Sequence, residues 1–176
     1  ADSDFSWKKL LNGKFLHVHG GQPEAMLRYG AHKQGIDLAN VDDIDSPGGD
    51  EMMAQWRNGE GDYFHEQGSF PQQLEHDGQG HIVASVGEAV GPVAFSSLVG
   101  RWDWLETDDA KRFAAAFKAS REWVNTADPA EVAKAEASFF PDMAESAIAS
   151  AVGAYQKLGT WSGGIAVEKQ LYEAAL

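Results

Sequence analysis

Cysteine is missing from all 176 residues. Its absence excludes thiolate nucleophiles, disulfides and Cys-based zinc sites, and is compatible with an oxidising compartment. Basic residues are scarce: 14 Lys and Arg stand against 27 Asp and Glu, a net charge of −13. With no Lys/Arg cluster the chain lacks the electrostatic footprint that nucleic acid or an anionic membrane requires, so neither is expected as a partner. The acidic excess reads as a solvated face. Long apolar runs are also missing. The longest, 82–100, is interrupted by Gly87, Glu88, Gly91 and Pro92 and reads as two strands and a loop rather than a membrane span. No charged segment followed by an apolar one opens the chain, so any signal peptide is expected to have been removed or to lie outside it. Neither a G-x-x-x-x-G-K nor a G-x-G-x-x-G phosphate loop occurs, and no G-x-S-x-G nucleophile elbow.

What the chain does have is a core: 43% of residues are hydrophobic and 11% aromatic, which argues for a folded protein. Its organising stretch is 15–35. Phe15 to His19 reads as a strand, Gly20-Gly21-Gln22 as a turn, and Pro23 opens a helix that Gly35 closes. A short helical turn at 7–11, ended by Asn12-Gly13, precedes it. Residues 40–45 read as a second strand, Ser46-Pro47-Gly48-Gly49 as a loop, and Asp50 as the cap of a helix over 51–57 with Met52, Met53 and Trp56 buried. A third strand over 62–66 turns through Gln67-Gly68 into a helix over 69–76, and 81–86 and 93–99 read as further strands. Right-handed crossovers in a parallel sheet gather all strand C-termini on one edge. That edge would collect 20–22, 46–50 and 66–69.

From Thr107 the pattern turns helical. Thr107-Asp108-Asp109 caps a helix through Val124, Asp128-Pro129 starts another to about Ser138, Pro141-Asp142 starts a third ending at Leu158-Gly159, and 165–176 reads as a last short helix. Phe113, Ala116, Phe117, Ser120, Trp123 and Val124 form a stripe that reads as core. The fold class is therefore α/β: a mainly parallel sheet with flanking helices, then a helical C-terminal region.

Several residues bear on chemistry. A helix start leaves backbone N–H groups unpaired and carries a partial positive charge, so Gly20 and Gly21 sit where an anion could approach, although two glycines also serve turn geometry alone. Phe15, His17 and His19 share one strand face, and His65-Glu66 end a neighbouring strand. Imidazole and carboxylate are donor types zinc takes, but no H-E-x-x-H or comparable spacing accompanies them. Packed or hydrogen-bonded histidines are the expectation, with no metal and no cofactor. Tyr63 and Phe64 point to opposite faces of one strand, where one would stack on a flat ligand or both would lie under helices. Ser96 and Ser97 read as hydrogen-bonding core or hinge residues.

At Asn12-Gly13-Lys14-Phe15, Gly20-Gly21, Asp50-Glu51-Met52, Asn58-Gly59-Glu60-Gly61-Asp62 and Gly91-Pro92-Val93-Ala94-Phe95-Ser96 the order of features resembles the periplasmic solute-binding proteins of ABC importers, in the nitrate, sulfonate, taurine and thiamine-pyrimidine class. Trp102-Asp103-Trp104-Leu105, Trp123-Val124-Asn125 and Asp128-Pro129-Ala130, following a crossover strand, resemble the tail of those proteins. The resemblance implies the type II periplasmic-binding fold, with 1–100 as an α/β ligand-binding lobe and 101–176 as a helical region packing on the lobe or hinge side. It implies a chain that begins at the second of two lobes, the first being absent from the sequence. It further implies a periplasmic or extracytoplasmic protein that passes a small polar organic solute, such as a sulfonate, nitrate or a pyrimidine-like compound, to a membrane permease, with no catalytic group. With the first lobe truly absent, a homodimer is the alternative partner.

On the same resemblance, Gly20, Gly21 and Gln22 match the turn whose backbone grips the ligand, and Glu66 matches an acidic position that would accept from an amino or ring N–H donor. His19, Phe64 and His65 would line the wall. Gln67 stands where members often carry Pro, with Pro71 downstream. The enzyme branch that makes the thiamine pyrimidine has a cysteine-rich signature that this chain lacks. Two rivals remain: a small enzyme using His65 and Glu66 as an acid–base pair, and a stand-alone interaction domain marked by a large apolar patch.

Overall fold

Alternating strand and helix signals in the first seventy residues become a three-stranded, all-parallel sheet in the computed structural model, which describes residues 4–94 and 96–174. The strands are β1 (Lys14–His17), β2 (Asp42–Asp45) and β3 (Tyr63–Phe64), in the order β2-β1-β3. Phe15 lies opposite Asp43 on one side and Tyr63 on the other; Leu16 lies opposite Ile44 and Phe64. Each strand feeds a helix: α1 (Gly21–Lys33), α2 (Gly49–Arg57) and α3 (Phe70–His76).

The central strand is short but buried on both faces, as parallel sheets require. On one face Phe15 packs with Leu27 and Ala31 of α1 and with Leu10, Ile36, Leu38 and Val41, with Phe5, Trp7, Tyr63 and Val86 at the margin. On the other, Leu16 is fully buried, and α2 packs against β1 with Met52 and Met53 buried. Helix α4 (Val86–Val90) crosses α1 at Gly30, where a Cβ would already be 3.4 Å from Val90 and 3.5 Å from Ala89. Lys33 ties the crossing by donating to the Val90 carbonyl at 2.7 Å.

The C-terminal region holds α5 (Trp102–Leu105), α6 (Asp108–Thr126), α7 (Pro129–Glu136), α8 (Glu145–Leu158) and α9 (Lys169–Glu173). Capping follows the sequence at two starts: Thr107 accepts from the Ala110 N–H and Asp128 from the Ala130 N–H. Gly159, left-handed at φ +72°, ends α8. A second core forms between α7 and α8 from Val132, Ala133, Ile148 and Val152. Helix α8 also packs on α3, where the Ala144 N–H donates to Gln73 at 2.7 Å. Among the described residues no helix is long and apolar enough to cross a membrane.

Four expectations need correction. Residues 81–86 are not a strand: 81–85 join no ladder, and 86 begins α4. Ile82 and Val83 stay more than a third exposed, because no strand edge accepts them. The described part of 93–99 is likewise no strand, its backbone contact being the Ala94 N–H to Leu171 at 3.0 Å, and Ser96 and Ser97 are exposed rather than core; Phe95 lies outside the described residues. The stripe on α6 is not core either. Phe113 is 50% and Trp123 44% exposed, and Ala110 alone of that helix is buried among the described residues. Finally, the helix expected from Pro141-Asp142 starts at Glu145, the one over 51–57 is capped by Gly48 rather than Asp50, and of 165–176 only Lys169–Glu173 is helical, with 175 and 176 outside the described residues.

Candidate functional site

Parallel strands bring their C-terminal ends together, so the three loops that follow β1, β2 and β3 meet at one rim of the sheet. The first loop is Val18 to Gly20. Gly20 has φ +81° and nothing within 4 Å of a built Cβ, so glycine is required there by the backbone and not by crowding. Its N–H donates to the Glu24 carboxylate in a very short contact. Glu24 in turn accepts from Arg28 Nε at 2.7 Å. The Gly20 N–H first, and Arg28 second, hold the Glu24 carboxyl below the usual carboxylate range. The positive end of α1 is thus partly answered by the protein's own acid.

The second loop is anchored by Ser46, which is buried, donates its N–H to the His17 carbonyl at 3.1 Å and its hydroxyl to Gln55 at 2.6 Å. At Gly48 two demands coincide. Its φ is +86°, and a Cβ there would stand 2.8 Å from Glu66 Oε2 and 3.0 Å from Val18. Loops one, two and three therefore touch at this point.

Glu66 is the hub of the third loop. Its Oε2 accepts from the Gly49 N–H at 2.9 Å and its Oε1 from the Gln67 N–H at 2.7 Å. Gly68 donates to the Tyr155 hydroxyl of α8 at 3.2 Å, so a trailing helix reaches the rim at this one loop. Gln72 Oε1 is buried beside Gly68 with no donor among the described residues, an acceptor that sequence reasoning missed. His65 is largely buried. Desolvation drives its imidazole down to about 4, against the pull of Glu66, with His17 adding to the depression.

The residues singled out from the sequence are distributed unevenly around this rim. His19, Gly20, Gly21 and Gln22 are exposed along its first loop, and His65 and Glu66 are partly buried at its third. Phe64 points to the α2 face and meets Trp56 edge-on, ring centroids 5.9 Å apart. Tyr63 belongs to the opposite face, 5.9 Å from the Phe5 ring. The first loop is open to solvent, and a surface depression lined by Phe5, Trp7, Gln34, Val83 and Ala84 lies toward the far end of α1, which Gln34 caps.

One constellation lies beside the rim that spacing did not reveal. His17 Nε2 stands 3.4 Å from Asp43 Oδ2, and His19 Nε2 makes a very short contact with the same oxygen. The two imidazole centroids lie 4.6 Å apart with the rings tilted by 42°. His65 and Glu66, the partners first considered for these histidines, are not part of this group. The signal for Asp43 was available as alternation: Asp43 and Asp45 of β2 lie opposite Phe15 and His17 of β1, so Asp43 meets His17 on the diagonal, and His19 follows β1 two residues on.

The chain is similar to a Bacillus subtilis (strain 168) protein described as "Putative binding protein YtlA", with 28% identity over 165 residues. The alignment takes in 90% of this chain and 48% of that protein, so the chain spans about half the length of the curated relative it matches. No family model matches the chain, and no solved structure matches it.

Proposed function

We propose that this chain is the ligand-gripping half of a solute-binding protein that serves an ABC-type importer outside the cytoplasm. Its solute is a small polar organic compound or anion of the sulfonate, nitrate or aminopyrimidine kind, handed on to a membrane permease. The observation that carries this reading is the open rim. Three glycine-bearing loops leave one edge of a parallel sheet, Glu66 ties the second to the third, and His19, Gly21 and Gln22 stand exposed at the first. Such an edge is where open α/β sheets take ligands. The relative's description as a binding protein, not an enzyme, supports the same role.

The far wall would come from the remaining half of a protein of the relative's length. Leu98, Val99 and Trp102 supply an exposed apolar surface for it to cover, at 66%, 94% and 85% exposure. Closure would then be a hinge motion stabilised by contacts made only in the closed state. A second copy of this chain is the alternative cover.

The test is a panel of sulfonates, nitrate, aminopyrimidines and amidines, read by calorimetry on the whole protein. Gln22→Ala is expected to weaken binding by direct loss of a contact. Glu66→Ala is expected to weaken it by freeing the Gly49 and Gln67 N–H groups from their common acceptor. Binding left unchanged by both variants would remove the rim as the site. An enzyme reading has less support, because both oxygens of Glu66 already accept backbone N–H groups and are poorly placed to pass a proton to His65.

A further inference from the structure

We propose that His17, His19 and Asp43 form a binding site for a divalent transition-metal ion of the zinc type. Each residue offers one donor atom, and all three atoms lie within 4.8 Å of one another. In a tetrahedral zinc site with bonds of about 2.0–2.1 Å, neighbouring donors stand roughly 3.3 Å apart. The His17 to Asp43 separation of 3.4 Å already has that spacing.

The hydrogen bonding of His17 gives an independent reason. Its Nδ1 lies 3.1 Å from the Val18 carbonyl, which can only accept, so Nδ1 carries the proton. In the neutral ring, the form a metal takes, Nε2 then presents a lone pair toward a carboxylate oxygen that also carries lone pairs. A cation between them reconciles the two, and a ring nitrogen bonded to a backbone carbonyl is how metal-ligating histidines are held in orientation. His17 is only 2% exposed and is packed 5.1 Å from the Phe15 ring, so its direction is set by the core before any ion arrives.

The remaining ligands face the solvent edge. The side chains of His19 and Asp43 are about a third exposed, at 38% and 33%, which leaves an approach path and at least one coordination position for water or another donor. Asp45 stands behind His19, accepting its backbone N–H at 3.1 Å with Nδ1 at 3.9 Å. Two imidazoles with one carboxylate favour Zn²⁺, Co²⁺, Ni²⁺ or Cu²⁺ over the oxygen-loving Mg²⁺ and Ca²⁺. The positive end of α1 would oppose a cation here, but Glu24 covers the Gly20 N–H. A net charge of −13 adds a favourable field. The site shares His19 with the solute rim but uses neither Gln22 nor Glu66, so titration with the metal alone is read separately from the solute tests.

Titrating the full chain with CoCl₂ and ZnCl₂ alone tests the proposal. One Co²⁺ per chain is expected, with visible absorption of a nitrogen- and oxygen-ligated ion of low coordination number, displaced by Zn²⁺ and not by Mg²⁺. His19→Ala and Asp43→Asn are each expected to weaken binding at least tenfold, while His76→Ala and His81→Ala, two histidines away from the cluster, leave it unchanged. Circular dichroism of each variant shows that the fold is retained. Binding of less than one ion per chain, or equal loss on His81→Ala, would overturn the proposal. So would wild-type affinity in both His19→Ala and Asp43→Asn, and the contact would then be a proton shared between imidazole and carboxylate.

Discussion

Between Lys14 and His76 the large apolar side chains turn inward: Phe15, Leu16, Leu27, Met52 and Leu74 are all buried. Between Leu98 and Trp123 they face solvent instead, with Val99 and Trp102 almost bare and Phe113 half exposed. Both stretches carry amphipathic patterning of similar strength. In the first, the strands and the helices that cover them belong to the same chain and lie within a few residues of one another. In the second, the stripe is covered only in part: Val124 reaches the α7–α8 core and Trp104 meets Phe113 edge-on, while Phe113 and Trp123 keep about half their surface in solvent. Patterning thus shows that a face is made to be covered, and is silent on what covers it.

The strongest way to sharpen this contrast is a cavity on the buried side. Leu16→Ala, in the middle of the central strand and buried on both faces, is expected to cost about 2–5 kcal/mol, measured by urea denaturation. A loss under about 1 kcal/mol would mean that the sheet packs more loosely than its burial indicates.

A second break uses acid. All six histidines lie at or before residue 81, so the helical tail has none. His65, stripped of solvent by burial, is held near 4 when folded against an ordinary value of 6.5. Between those values the unfolded chain binds a proton that the folded one does not, so stability falls as pH drops from about 6.5 toward 4. At ~1.4 kcal/mol per unit the loss is at most about 3.5 kcal/mol, and less for a side chain that keeps some solvent. Hydrogen exchange is expected to rise in the sheet region before the α7–α8 core, and His65→Gln to flatten the slope over that window. An equal slope in the variant would assign the acid sensitivity to other groups.

The smallest effect is expected on the exposed side. Val99→Ser and Trp102→Ser should each change the stability of this chain by about 0.5 kcal/mol or less, because surface substitutions away from packed features do little. In a protein that also contains the covering half, the same changes should cost more. Equal effects with and without that half would leave the exposed stripe without a role in docking.

These contrasts also mark how far residues alone disclosed the fold. The three strand-turn-helix units were legible because each is local: a few apolar residues, then Gly or Pro punctuation, then a helical stripe. Thr107, Asp128 and Gly159 fixed helix ends for the same reason. Residues 81–86 and 93–99 are as apolar as the true strands, yet a strand exists only where another strand pairs with it, and pairing is not written in the run itself. At the rim, the loops were expected together and do meet. That Glu66 reaches back to the Gly49 N–H depended on how two loops meet, and that Asp43 stands against two histidines depended on the pairing of β1 with β2; no local motif encodes either.

A carboxylate that takes one amide from the turn before α2 and another from the turn after β3 works like a rivet through two plates. Neither turn can swing without dragging its neighbour, so whatever settles on this edge meets a stiff brace rather than two independent fingers. Any selectivity it has must come from the side chains mounted on that brace.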